Sequence, residues 1–319
     1  VMRKAEFPYL PKDFIETAEG LIFAVVSYQA QDGKVGCFLR YVRKGSQCRK
    51  VTTKEANFLL EKNYPQYLYH SRHFDAYFHA VPPIAIIAHH LPEVGLQKLL
   101  HSSPNDEIEQ KLQELIAILM QRKVQDTFLG ITGSVLLGQQ TLTSDIDIVA
   151  YGREAFYQLR EAVVQGVSQR EFSLLDNNLM RDNFERRAGE LSFEEFAWHE
   201  NRKFNKAVLR GTKFDIAMVS MEEHTVDPNI QKFDKRGSVK LQSRVTDDAL
   251  AFDFPARYKI ENKLISEVVV YTHTYVGQAQ LGESIEVSGT VECEISTEKC
   301  RLIVGSSREA AGEYIKVCR

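Results

Sequence analysis

The segment Ser144-Asp145-Ile146-Asp147-Ile148-Val149 interleaves acids with β-branched apolar residues. In a strand, alternate side chains share a face, so Asp145 and Asp147 point one way while Ile146 and Ile148 point into a core. Two carboxylates about 7 Å apart along a strand repel each other unless a cation lies between them. Hard oxygen donors of this kind suit Mg²⁺ or Mn²⁺. A third acid, Asp215, lies between Phe214 and Ile216 and is placed to close the site from a neighbouring strand. Upstream, Gly133-Ser134 stands where an apolar strand turns into Val135-Leu136-Leu137. A glycine there permits a tight turn, and the exposed amides at a helix start favour a phosphate. Three carboxylates near such a turn suit a two-metal phosphoryl or nucleotidyl transfer, in which one ion activates the attacking oxygen and the other neutralises the triphosphate and leaving pyrophosphate.

Gly133-Ser134, ten intervening residues, Asp145-Ile146-Asp147 and a later Asp215 with apolar neighbours resemble the signature of the polymerase-β-type nucleotidyltransferase superfamily. The segments Gly130-Ile131-Thr132-Gly133-Ser134-Val135-Leu136-Leu137 and Ser144-Asp145-Ile146-Asp147-Ile148-Val149-Ala150-Tyr151-Gly152 look like a group of poorly characterised nucleotidyltransferase-domain proteins of archaea and some bacteria. The motif resemblance covers residues 106–220. It implies that Gly133 and Ser134 hold the β- and γ-phosphates, that Asp145 and Asp147 bind two Mg²⁺ or Mn²⁺ ions, and that Asp215 holds the catalytic ion and helps deprotonate the acceptor hydroxyl. Superfamily members often set basic residues against the triphosphate. Arg202, Lys203, Lys206 and Lys213 are the candidates here, although a solvated helix face accounts equally well for the first three. The substrate implied is a nucleoside triphosphate.

These residues need strands and helices to hold them. Asp106 begins a helix whose Ile108, Leu112, Leu115, Ile116, Leu119 and Met120 recur on one face. Strands are expected at 127–132 and 146–150, a helix from 153 to about 164, a charged helical stretch over 176–206, and a strand-turn-strand over 208–219. The N-terminal region opens with a hairpin over 21–42 that turns at Asp32-Gly33, followed by a helix near 54–61. From about 238 the pattern becomes short strands, with Ile285, Val287, Val291, Cys293 and Ile295 alternating with polar neighbours. The expected fold is α+β: a polymerase-β-like core of mixed sheet and helices over 104–237, an N-terminal accessory α/β region over 1–103, and a small all-β, barrel-like domain over 238–319.

The 319 residues, 44% apolar and 26% charged, exclude collagen-like, disordered and disulfide-scaffold classes. No apolar run approaches the roughly 18 residues that cross a bilayer, and the N-terminus lacks the apolar stretch of a signal peptide, so a cytoplasmic protein without a membrane partner is expected. Five cysteines without a Cys-x-x-Cys pair are expected to be reduced thiols. His70, His73, His79, His89 and His90 match no metal-ligand spacing and suit structural or surface roles. The net charge is −3, but basic residues crowd between Arg40 and Lys54. There Arg43, Lys44, Arg49 and Lys50 offer a dock for a polyanion, or a solvated surface. Strand alternation would align Tyr271, His273 and Tyr275 either as a stacking row for unpaired bases or as core aromatics. The expected activity is thus a metal-dependent nucleotidyltransferase acting on RNA or another polynucleotide. A protein or small-molecule acceptor is the alternative, and a catalytically silent nucleotide- or RNA-binding protein is the rival outside the enzyme class.

Overall fold

The computed structural model describes the chain except residues 2, 5, 46, 72–75, 188, 223–232, 296, 298 and 307–309. His73 therefore lies outside the described residues. The chain divides into two compact units, Val1–Ala162 with Leu209–His224, and Val163–Val208 with Thr225–Arg319. This division cuts across the expected segment 104–237: its first part shares a unit with the N-terminal region, and 163–208 shares one with the C-terminal strands.

The first unit begins with β1 (Phe14–Thr17), β2 (Leu21–Gln31), β3 (Lys34–Lys44), β4 (Gln47–Lys50), α1 (Thr53–Asn63), β5 (Leu68–Ser71), β6 (Ala76–Val81) and β7 (Ile86–His90). Among the described residues these strands form an antiparallel sheet of order β5-β6-β3-β2-β1-β7, with β4 on β3. The expected hairpin is β2-β3, and its turn residues Asp32 and Gly33 both have positive φ, as a tight hairpin requires. One irregularity matters for the site. Ile22 pairs with Tyr41 and Phe23 with Leu39, so Arg40 is an extra residue in β3. Such a bulge reverses the side-chain phase. Leu39 thus packs with Phe23 and with Ala56 and Leu60 of α1 on one face, while Tyr41 packs with Phe14, Ile22 and Leu137 on the other.

That second face receives Leu136 and Leu137. The unit continues with α2 (Pro92–Leu100), α3 (Glu107–Gln121), β8 (Leu129–Thr132), α4 (Gly133–Leu136), β9 (Ile146–Tyr151) and α5 (Arg153–Ser168), which runs on into the second unit; after the second unit's helices α6 (Asn177–Arg187) and α7 (Phe193–Lys203) and the strand β10 (Lys206–Leu209), which ends where the first unit resumes, comes β11 (Thr212–Val219). Asp106 caps α3 by accepting from the Glu109 amide, and Ile108, Leu112, Leu115, Ile116 and Leu119 are buried as their spacing predicts. Met120 is exposed. The sheet order is β10-β11-β9-β8, with β8 antiparallel and β11 parallel to β9.

The second unit contains α6, α7 and β12 (Phe233–Asp247), β13 (Ala256–Ile260), β14 (Ile265–Val270), β15 (Ser284–Glu294), β16 (Cys300–Val304) and β17 (Tyr314–Val317). The strands follow the order β12-β13-β14-β16-β15-β17, and β12 also pairs with β15, which closes the sheet into a ring. Its core joins Tyr258, Val268, Ile285, Val287 and Leu302 to Met180, Leu191 and Phe196 from the helical segment. Cys293 and Cys300 face each other across β15 and β16 and form a disulfide, with Cα atoms 4.0 Å apart. This corrects the expectation of five reduced thiols: a hairpin juxtaposes cysteines whose sequence spacing carries no such signal. Cys37, Cys48 and Cys318 are free. Among the described residues no helix is long and apolar enough to cross a membrane.

Candidate active site

Three strands carry the site. In register, Thr132 of β8 faces Asp147 of β9, and Asp147 faces Asp215 of the parallel strand β11. Adjacent strands run about 4.8 Å apart, so the third acid is laid directly beside the second. Asp145 precedes β9 by one residue and shares the face of Asp147. Lys213, two residues before Asp215, is nearly buried, and its Nζ lies 2.9 Å from Asp145 Oδ2 and 3.3 Å from Asp215 Oδ2. Laid end to end, those contacts keep the two carboxylates well inside the roughly 8 Å spanned by ligands around a pair of metal ions about 4 Å apart.

Electrostatics agree with this crowding. The Asp147 carboxyl is pushed up to about 7, first by burial and next by Asp215, with Asp145 adding to the rise, while Lys12 and then Lys213 oppose it. Burial by itself would lower the Lys213 ammonium, yet Asp215 and Asp145 hold it above the ordinary lysine range. One oxygen of the cluster, Asp215 Oδ1, is buried without a hydrogen-bond partner. A buried acceptor with no donor costs about 1–3 kcal/mol, and a divalent cation is the partner that a set of carboxylate oxygens suits. As the side chains stand, no group of three His, Cys, Asp or Glu among the described residues is drawn together around a common point. Lys213 lies between Asp145 and Asp215 in its place.

Gly133 has φ of +68°, and a Cβ on it would lie 2.4 Å from Asp147 Oδ2. The glycine therefore makes room for a carboxylate, a role that the sequence reading, concerned with phosphate approach, did not anticipate. Ser134 follows it in α4.

The N-terminal region also reaches Thr132 and Asp147. Thr132 Oγ1 donates to the Lys12 carbonyl at 2.6 Å, and Lys12 is the cation that acts most strongly on Asp147. Burial pushes the Tyr41 phenol up, opposed by Arg40, with the charge of Asp147 contributing further to the rise. No local pattern in the sequence singles out either residue, because packing between segments more than a hundred residues apart brings them here.

Most of the other expected site residues have partners of their own. In the second unit, Lys203 and Lys206 are buried and both pair with Glu200; Lys203 also donates to the Thr274 carbonyl. Arg202 pairs with Glu283 and lies over the Trp198 ring. Their charge is thus committed to internal acids. The expected row of Tyr271, His273 and Tyr275 does not form, because β14 ends at Val270 and 273–275 is a 3₁₀ turn without strand alternation. Tyr275 is core, Tyr271 is half-buried, and His273 stacks on Phe254. In the basic hairpin, Arg43 pairs with Glu16 and Arg49 with Glu55, while Lys44 and Lys50 are exposed. His79, His89 and His90 contact Asn57, Asp13 and Glu16, and the His70 ring lies against Tyr77.

Comparison with known proteins extends the motif evidence beyond these strands. The profile of the family described as "Nucleotidyltransferase domain" matches residues 112–270, from α3 to the end of β14 and so across all three acids. A protein of Methanocaldococcus jannaschii described as "Uncharacterized protein MJ1086" is 34% identical, over 97% of this chain and 98% of its own length. No solved structure matches. With Asp147 and Asp215 on adjacent strands of one sheet, Asp145 just before the first of them, and the likeness to the archaeal relative running nearly end to end, the chain belongs to the nucleotidyltransferase-domain family.

Proposed function

We propose that this protein is a metal-dependent nucleotidyltransferase that moves a nucleoside monophosphate from a nucleoside triphosphate to an acceptor hydroxyl of RNA or another polynucleotide. The observation that carries this is the register of Asp147 with Asp215 on parallel strands, beside Asp145 and around a buried oxygen without a donor. Asp145, Asp147 and Asp215 would hold two Mg²⁺ or Mn²⁺ ions, which when bound neutralise the triphosphate and activate the acceptor oxygen. Gly133 and Ser134 hold the β- and γ-phosphates. Asp215 helps take the hydroxyl proton as the acceptor oxygen bonds to the α-phosphorus and the bond to pyrophosphate breaks. Lys213 leaves its place between the acids and follows the negative charge.

Support for a polynucleotide acceptor comes from the N-terminal sheet. β3 carries Tyr41, whose phenol feels the charge of Asp147, and, with β4, presents the exposed Lys44 and Lys50 on the same strand pair. A nucleotide-binding protein without catalysis is the second reading, favoured by Lys213, which already neutralises two of the acids as an inactive relic would require.

The test is to incubate the protein with each α-labelled nucleoside triphosphate, Mg²⁺ or Mn²⁺, and total RNA, DNA or protein. Label should pass to polynucleotide and vanish with Asp147→Asn. Triphosphate binding without transfer would establish the silent reading, and absence of binding would overturn both.

A further inference from the structure

The turn that carries Lys12 is held from every side. Asp13 is fully buried; its carboxylate takes two hydrogen bonds from Arg3, one from the Leu10 amide and a contact from His89, while its own amide donates to the Leu10 carbonyl. The Lys12 amide donates to the Val25 carbonyl at 3.1 Å, and its carbonyl accepts from Thr132 Oγ1. Pinned in this way, Lys12 adopts φ of +78°, a left-handed conformation disfavoured for any residue with a Cβ. Strain of this kind persists where the surroundings over-determine it, and it concentrates at working sites. The same hydrogen bond places Lys12 one residue from the Gly133-Ser134 turn and beside Asp147, the cross-strand neighbour of Thr132.

We propose that Lys12 is a nucleotide-binding residue, a cation supplied by the turn before β1 that takes the phosphates of the triphosphate held at Gly133-Ser134. The inference rests on the nucleotidyltransferase reading and deepens it, since it makes the N-terminal region part of the substrate site. The ammonium of Lys213 is shared by Asp145 and Asp215. Arg202, Lys203 and Lys206 are engaged by Glu283 and Glu200. The fold brings the backbone of Lys12 to the residue before the glycine turn from the far end of the chain.

Strain and function pull this residue in opposite directions, which separates binding from a structural role. Glycine at position 12 adopts the left-handed backbone without penalty but brings no charge. In the full chain, Lys12→Gly should leave the melting temperature unchanged or raise it by about 2 °C. At the same time it should weaken binding of Mg²⁺ complexes of ATP, GTP, CTP or UTP, whichever the wild type binds, by about tenfold or more, the range of one charge-assisted hydrogen bond. Inorganic tripolyphosphate should show the same weakening, nucleoside monophosphates a smaller one, and Lys12→Arg should largely restore affinity. Wild-type affinity in Lys12→Gly overturns the proposal, as does a joint fall of melting temperature and affinity. If the wild type binds nucleotide and Asp147→Asn abolishes transfer while the Lys12 variants behave as wild type, this inference alone fails. If the wild type binds none of the triphosphates, it fails together with the reading beneath it.

Discussion

Replacing Glu200 with glutamine would decide whether Lys203 and Lys206 hold the fold or await a phosphate. The exposure of the three side chains is 3% for Glu200, 1% for Lys203 and 8% for Lys206. Lys203 Nζ lies 2.6 Å from Glu200 Oε1, Lys206 Nζ donates to Oε2, and Asn183 also donates to that oxygen. Burial would raise the Glu200 carboxyl, yet the two lysines outweigh it and hold it below the usual carboxylate range. Burial pulls the Lys203 ammonium down to about 8, with Glu200 resisting. Glutamine keeps the shape and removes only the charge, leaving two buried ammonium groups without a counter-ion. Breaking a buried ion pair from one side costs about 3–5 kcal/mol, and glutamine still accepts hydrogen bonds, so we expect about 3 kcal/mol at neutral pH. That loss has a ceiling, because a buried lysine can shed its proton instead. Shedding it is easier at higher pH, so the deficit should shrink as pH rises from 7 to 9. Trp198, the single tryptophan, lies in α7 two residues from Glu200 and reports unfolding of this unit by fluorescence in urea. A loss below about 1 kcal/mol, together with altered triphosphate affinity, would refute the structural role and return the two lysines to the phosphate site.

Four further outcomes are expected. Gly133→Ala places a Cβ against Asp147 Oδ2 and should cost about 1 kcal/mol in left-handed strain; displacing the carboxylate by about 1 Å should cut nucleotidyl transfer roughly a hundredfold, and undiminished transfer would contradict the site. His199 donates through Nδ1 to the Glu195 carbonyl and accepts the Val317 amide at Nε2, and burial lowers it to about 4. The unfolded chain therefore binds a proton that the fold refuses, and up to about 3 kcal/mol of stability should be lost as pH falls from about 6.5 to 4, a slope that His199→Gln should flatten in urea titrations. Tyr275→Ala should cost about 3–5 kcal/mol by emptying a core position; a folded variant that loses only single-stranded RNA binding would instead revive a stacking role. Lys44→Gln with Lys50→Gln should leave melting unchanged and, if the acceptor is a polynucleotide, lower the logarithmic salt slope of its binding by about one for each phosphate no longer neutralised.

Local pattern alone determined much of this protein. The apolar spacing after Asp106, the Asp32-Gly33 turn, the period-two acids at 145 and 147 and the glycine at 133 each rest on interactions within a few residues, and the structure has α3, the β2-β3 hairpin, β9 and the β8-α4 turn at those places. Even Asp215 was legible, since its apolar flanks mark a buried strand with one polar position. Tertiary structure decided the rest. Parallel pairing of β9 with β11 sets Asp215 opposite Asp147, a register that side-chain alternation within either strand leaves open. The extra residue at Arg40 turns Tyr41 onto the face of Phe14, Ile22 and Leu137, and a bulge has no signature in the order of apolar and polar residues. Lys203 and Lys206 have the composition of a solvated or phosphate-binding face, and only the packing of α7 into the core of the second unit buries them around Glu200. The backbone of Lys12 lies beside the β8-α4 turn because Thr132, far along the chain, donates a hydrogen bond to its carbonyl. Helices and turns are written in neighbouring residues because their hydrogen bonds close within a few positions, whereas the charge environment of the candidate site depends on contacts between distant segments, which no window of sequence contains.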